Sequence, residues 1–357
     1  MKKRVISILL ALALGLSLCA CGGAGTPAQS AENTVAYTDD CGREVQIPEN
    51  VTKIVASGGL SQIALFAIAP DMLVGLASTW KDGAKGIIEE QYLSLPYFGE
   101  LYDSADLNVE ELALASPQLV IDVGEQKPSS REDMDSLETQ TNIPSVHIDA
   151  SLKTMPEAFR KLGTLLGREE KGEELAAFFE RIYTRTEDIM ARVGDDRVPA
   201  LYVLGEEGQN VIAKGSYHAE LIDLLTDNLA VIDSPSSKGL GNEVTMEQLA
   251  LWDPEFIIFG PRSIFSDVSS RPAWENMRAV SAGNYIETPE SPLNWLGTPP
   301  GAQRYLGLIW LPSILYPEYC DYDVQADILE FYRLFYHAEL SDAQYAALTE
   351  NAFVKES

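Results

Sequence analysis

The chain has 357 residues, with 54 acidic against 26 basic side chains and a formal net charge of −28 at pH 7. Such an acidic balance excludes nucleic acid as a partner, because binders of a polyphosphate present a basic face. The length exceeds the roughly 250–300 residues at which a single hydrophobic core keeps growing, so two domains are expected.

Lys2, Lys3 and Arg4 precede an apolar stretch from Val5 to Leu18 and then small residues, the layout of a secretory signal. A membrane-spanning helix needs about 20 apolar residues, more than this stretch holds. Leu18-Cys19-Ala20-Cys21-Gly22 resembles a bacterial lipoprotein processing site, which implies loss of residues 1–20 and a lipid on Cys21. The alternative is a plain cleavable signal or a membrane anchor. Residues 21–34 are small and polar without periodicity, as in a flexible tether holding a folded body above the outer face of the cell membrane. That leaves Cys41 and Cys320 in an oxidising compartment, able to pair, with no spacing that resembles a zinc site.

The first lobe is expected over residues 35–150. Ala36 to Pro48 reads as a hairpin and Lys53 to Ala56 as a strand; Ser57-Gly58-Gly59 is a turn launching a helix from Leu60 to Ile68, which Pro70 stops. Met72 to Leu76 is a second strand, and a loop with Trp80 follows. Val109 to Ile121 is a capped helix, a proline and an apolar strand, and Asn142 to Ile148 gives one more strand, completing a βαβ series. Residues 151–195 form a helical linker. Thr154-Met155-Pro156-Glu157 is a capping box, Gly167 a stop, and Leu175, Phe178, Phe179, Ile182, Ile189 and Val193 fall on one face of a helix from Glu169 to Val193. At 1.5 Å per residue that helix reaches about 37 Å, a rigid strut that limits lobe movement.

The second lobe, residues 196–357, repeats the alternation with a strand at Pro199 to Leu204, a helix at Tyr217 to Leu225 and a strand at Phe256 to Phe259. Residues 295–319 are rich in Pro, Gly and aromatics, and Asp323 to Tyr336 is a closing amphipathic helix. Val109 to Ile121 and Met246 to Ile258 match at six of thirteen positions, each after a cap, Asn108 or Thr245. The expected fold is α/β: two Rossmann-like lobes with mostly parallel sheets, joined by a long rigid helix, with a ligand cleft between them.

Parallel-sheet lobes bind ligands where strands end and helices begin. In the first lobe this selects Ser57, Gly58, Gly59, Gln62, Trp80, Gly99, Glu100 and Arg131; in the second, Gly215, Ser216, Tyr217, His218, Arg262, Trp295 and Arg304. The glycines also suit tight turns, the tryptophans a core, and the arginines a surface or structural role. An arginine in the cleft would match carboxylate, phosphate or chelate oxygens. His147, His218 and His337 do not cluster, which argues against capture of bare zinc or manganese.

In order and spacing, the chain resembles the substrate-binding lipoproteins of ABC importers in the iron-siderophore, haem, cobalamin and oxyanion group. The resemblance rests on Asp40 to Pro48, Lys53-Ile54-Val55 leading into a helix, the two Glu-to-Pro segments and Leu165 to Lys171. Arg304 to Gly307, Trp310-Leu311 and Leu315 to Glu318 resemble an iron-complex branch that includes molybdate or tungstate binders; Gly297 to Gly301 departs from it. The resemblance implies an ABC permease and its ATPase as partners, with Glu110 and Glu247 pairing with permease arginines. A local reading competes, since a carboxylate in the first helical turn is favoured by about 0.3–1 kcal/mol whatever its partners. It implies a monomeric receptor without catalytic residues or cofactor. The first ligand is a ferric siderophore, with molybdate or tungstate, haem or a corrinoid as alternatives. A secreted lipoprotein hydrolase would need a Gly-x-Ser-x-Gly elbow, a His-Glu-x-x-His helix or a P-loop, and the sequence has none. An adhesin would fit the anchor but make no use of a cleft.

Overall fold

The computed structural model describes residues 33–102, 107–236, 238–297 and 299–354. The leader, Cys21 and most of the tether lie outside them. β1 (Thr34–Thr38) and β2 (Glu44–Pro48) form an antiparallel hairpin whose turn uses Gly42 at φ 71°. Arg43, at the end of that turn, is buried. Its guanidinium donates to Asp39 at 3.1 Å, Asp135 at 2.7 Å, Glu138 at 2.6 Å and the Ser145 carbonyl at 2.7 Å, which ties the hairpin to the first lobe.

The first lobe is built on β3 (Ile54–Ala56), β4 (Leu119–Gly124) and β5 (Ser145–Asp149), all parallel and adjacent in that order. The strand expected at Met72 to Leu76 is reduced to a single parallel bridge between Ile54 and Leu73. Pro70 opens a 3-10 turn over Pro70–Met72, and Gly75 lies against Phe98, where a Cβ would stand 2.1 Å from the ring.

The linker is a helical hairpin. Helix Met155–Leu166 ends on Gly167 at φ 62°, and helix Glu169–Val193 follows with the bounds its apolar spacing predicts. Thr154 makes no side-chain cap; its hydroxyl lies 3.0 Å from that of Ser151 instead. The two helices meet at Gly163 and Gly172, where a Cβ on Gly172 would lie 2.7 Å from the Phe159 carbonyl oxygen. Valine at Gly172 is therefore expected to destabilise the protein by about 1–3 kcal/mol through overpacking, read as a lower Tm. An unchanged Tm would mean that the hairpin has slack.

The second lobe holds β6 (Pro199–Leu204), β7 (Asn210–Val211), β8 (Asp227–Asn228), β9 (Asn242–Glu243), β10 (Phe256–Phe259) and β11 (Tyr285–Glu287). Their order is β11-β10-β6-β7-β9, with β8 also beside β6; the inner pairs are parallel and β7 is antiparallel to both its neighbours. The Pro/Gly/aromatic-rich segment contains a helix that the sequence reading missed, Arg304–Leu315, buried along nearly its whole length. A helix buried all round has no polar face and so no 3.6-residue pattern to read.

One continuous core runs from Ile54 and Phe66 of the first lobe through Phe159 and Phe179 of the linker to Tyr202 and Trp310 of the second. The closing helix, Val324–Phe335, touches the second lobe, where the Tyr332 hydroxyl donates to the Ser291 carbonyl oxygen, and also reaches the strut and the first lobe. Phe335 packs on Phe178 and Phe179, Asp327 accepts from Arg181 and Arg185, and the His337 ring lies 3.0 Å from the Phe66 carbonyl oxygen in the first lobe. This helix covers the apolar face of the strut. Cys41 and Cys320 are both free thiols.

Candidate functional site

The C-terminal ends of β3 and β4 open into a cavity of about 850 Å³ between the lobes. The first lobe contributes Ser57, Gly58, Gly59, Tyr102, Asp122 and Gly124, and the second Tyr217, His218 and Gly239. Asp122 is the centre of its polar floor. Ser57 Oγ donates to this carboxylate, His147 Nδ1 donates to Oδ2 at 2.6 Å, and Ser61 Oγ backs Ser57 at 2.9 Å, while the Tyr102 hydroxyl lies beside the group and donates to Met134 Sδ at 3.9 Å. Burial by itself would raise the Asp122 pKa, but the His147 and Ser57 hydrogen bonds outweigh it and hold the group below the usual carboxylate value. Burial and the neighbouring Asp122 push the Tyr102 phenol upward, so it remains a donor.

This grouping has the residues of a hydrolytic triad in the wrong order. The carboxylate stands between hydroxyl and imidazole, so no imidazole faces the Ser57 hydroxyl; His147 Nε2 is buried without a partner. Among the described residues, no group of three or more His, Cys, Asp or Glu side chains is placed to hold a metal ion.

The cavity is acidic. Glu100, Asp122, Glu125 and Asp133 face Lys81 and Lys127, and none of the described lining residues is an arginine. The helix Gly59–Ile68 starts at its wall, and the Glu100 carboxylate lies 4.0 Å from where a Cβ on Gly58 would stand. The positive end of the helix thus already faces a carboxylate of the protein.

Of the residues selected from the sequence, the structure brings Ser57, Gly58, Gly59, Glu100, Tyr217 and His218 to this cavity. Gly215 and Ser216 lie beside it, with Tyr217, in a recess of about 480 Å³ that includes Glu125 and Glu220. Trp80 and Arg262 line an adjoining pocket of about 490 Å³, joined to the cavity through Lys81. There Glu290 accepts from Arg262 and, at 2.8 Å, from Lys81 of the opposite lobe. Burial would raise the Glu290 pKa, but these two cations outweigh it and keep the group ionised.

The other selected residues have structural work. Gln62 is buried and clamps Ala77 and Ser78 through their backbone groups. Gly99 is buried and left-handed, at φ 84°. Arg131 donates to the Cys41 and Gly42 carbonyl oxygens at 3.1 and 3.2 Å. Trp295 is inaccessible and packs edge-on against Trp310, and Arg304 is only 2% exposed, its guanidinium paired with Glu220. Trp295 and Arg304 are thus buried and do not line the cavity. Both belong to the segment around the missed helix, whose burial the local sequence did not reveal. Asp122, Tyr102, Lys81, Glu125 and Lys127 were not foreseen. Asp122 left one signal, a lone carboxylate within the apolar run Leu119-Val120-Ile121-Asp122-Val123.

Glu110 and Glu247 lie away from the cavity, exposed in the first turns of helices Val109–Ala115 and Met246–Trp252. Asn108 and Thr245 cap these helices, and each ends on a left-handed residue, Ser116 or Asp253, before its proline.

Two α/β lobes, a helical strut and a cleft at the strand ends define a solute-binding protein. Residues 99–292 match the family model described as periplasmic binding protein, and the chain belongs to that family. An ABC transporter solute binding protein from Sulfurospirillum deleyianum DSM 6946 is 26% identical with a TM-score of 0.78, over 88% of this chain and 99% of that one. A periplasmic solute binding protein from Veillonella parvula DSM 2008 is 21% identical with a TM-score of 0.73, over 90% and 98%. The molybdate periplasmic binding protein MolA of Haemophilus influenzae, solved with molybdate, is 20% identical with a TM-score of 0.66, over 86% and 99%; the last two likenesses concern fold. No curated protein matches the chain in sequence. The protein is thus an extracytoplasmic solute-binding component of an ABC transporter, working with a permease and an ATPase. No helix among the described residues is long and apolar enough to cross a membrane.

Proposed function

We propose that this protein is a monomeric, lipid-anchored receptor, attached through Cys21, that captures a neutral or cationic metal chelate of the ferric-siderophore class. It passes this chelate to its permease through Glu110 and Glu247. The observation that carries the ligand reading is the charge of the cavity: four carboxylates against two lysines, with no arginine among the described lining residues to clamp a phosphate or oxyanion. A volume of about 850 Å³ lies in the 300–1,000 Å³ range of pockets for molecules far larger than a tetrahedral oxyanion. Tyr102, Tyr217 and His218 offer flat faces to a chelator's ligand groups. Lys81 and Arg262, two cations that could meet molybdate or tungstate, are both held by Glu290.

Thermal-shift titration separates these ligands. Ferric hydroxamates of zero or positive charge are expected to raise Tm, by about 4 kcal/mol of stabilisation when present at a thousand times their Kd. Ferric catecholates, molybdate and tungstate, all anionic, are expected to give no shift. A shift with molybdate or tungstate and none with the hydroxamates would overturn the proposal, as would silence across the series extended to haem and cobalamin.

A further inference from the structure

Six positions are identical between the repeated segments, and the fold accounts for three of them. Leu112 and Leu249 are the buried anchors of their helices, Pro117 and Pro254 are buried at the helix ends, and Ile121 and Ile258 are fully buried in β4 and β10. The other three are exposed: Glu110, Ala113 and Leu114 in the first lobe, and Glu247, Ala250 and Leu251 in the second. Spaced i, i+3 and i+4, each trio forms one outward face of its helix. Leu114 is 79% exposed and Leu251 78%. A single exposed leucine needs no explanation. The same leucine in the same degree of exposure, one turn beyond the same glutamate in both lobes, does, because neither packing nor helix capping requires it.

We infer that Leu114 and Leu251 are the apolar anchors of a twofold-repeated docking surface whose occupant is the membrane permease of the transporter. This rests on the proposed function above and adds to its paired carboxylates. The partner's chemistry follows from the faces themselves. Each needs a cation opposite the glutamate and an apolar recess that accepts a leucine, with the intervening alanine permitting close approach. Two identical faces in one chain call for two equivalent receptor sites, as on a partner with two copies of one subunit or two similar ones. A leucine that leaves solvent for an apolar recess gains the free energy of burying its side chain, while rim charges guide the approach.

The test is the affinity of the full-length protein for its permease–ATPase complex in lipid nanodiscs, with Leu114→Ser, Leu251→Ser, the double variant, and the Glu110→Ala/Glu247→Ala pair. Each leucine variant is expected to bind about tenfold more weakly and the double about a hundredfold, with Tm unchanged because the side chains lie in solvent. Full affinity in the double leucine variant, with binding lost in the glutamate pair, would overturn the apolar anchors and leave the carboxylate docking standing. If the wild type itself does not bind, both fall. Sedimentation of the wild type supplies the remaining outcome: a dimer that the leucine changes dissolve would make the occupant a second copy of the chain and overturn the permease assignment.

Discussion

Alanine at both Glu110 and Glu247 is expected to abolish uptake of ligand by cells while the purified variant binds that ligand as tightly as the wild type. Neither carboxylate lines the inter-lobe cavity, so the cleft loses no contact. Both are exposed. The Glu247 carboxyl is held below its ordinary pKa by its own backbone N–H and the Thr245 hydroxyl, and so is ionised at neutral pH. Loss of each helix-start charge costs about 0.3–1 kcal/mol, too little to unfold the chain. Transport of the labelled ligand and calorimetric affinity, measured on the same variant, decide the matter. Lost affinity would place these carboxylates in ligand binding; normal uptake would make them helix-start residues and nothing more.

Methionine at Arg43 is expected to cost about 3 kcal/mol of stability and to lower Tm without changing the cleft. The Asp39 side chain has no solvent exposure, and Arg43 is its cationic partner. Removing one member of a buried pair strands the other in a low-dielectric site, a loss in the range of about 3–5 kcal/mol. The lower end applies here, because the Arg43 backbone N–H still donates to Asp39 at 2.8 Å, and because Asp135 and Glu138 are exposed enough for water to replace their contact. Adding Asp39→Asn to Arg43→Met is expected to recover part of the loss, since the amide needs no counter-charge. A loss below about 1 kcal/mol for Arg43→Met would show that the hairpin is not held by this cluster.

The same cluster explains why the Asp40-to-Pro48 segment is legible in the sequence as a unit. Gly42 turns the chain, Arg43 reaches back into the first lobe, and Val45 and Ile47 alternate inward along β2. The strut was equally legible, because a helix with one wet face writes its period into the chain. The ligand wall was legible only in part. Ser57 through Gly59 and Tyr217-His218 sit where a strand or turn gives way to a helix, a local signal. Arg131, Trp295 and Arg304 had the right chemistry for a cleft but were claimed by distant partners: the Cys41 and Gly42 carbonyl oxygens, Trp310 and Glu220.

By itself, the sequence determined what depends on near neighbours in the chain: the periodic helices, the capped repeats, the alternation of strand and helix, and through these the two-lobed class. Only the tertiary structure decided which side chains share the cleft. Asp122 gains its role from Ser57 and His147, which lie 65 and 25 positions away, and the acidity of the cavity arises from carboxylates on a strand, a helix and loops folded to one place. Burial and electrostatics follow distance in space, and a chain that folds by long-range parallel pairing brings together residues whose spacing carries no trace of that meeting.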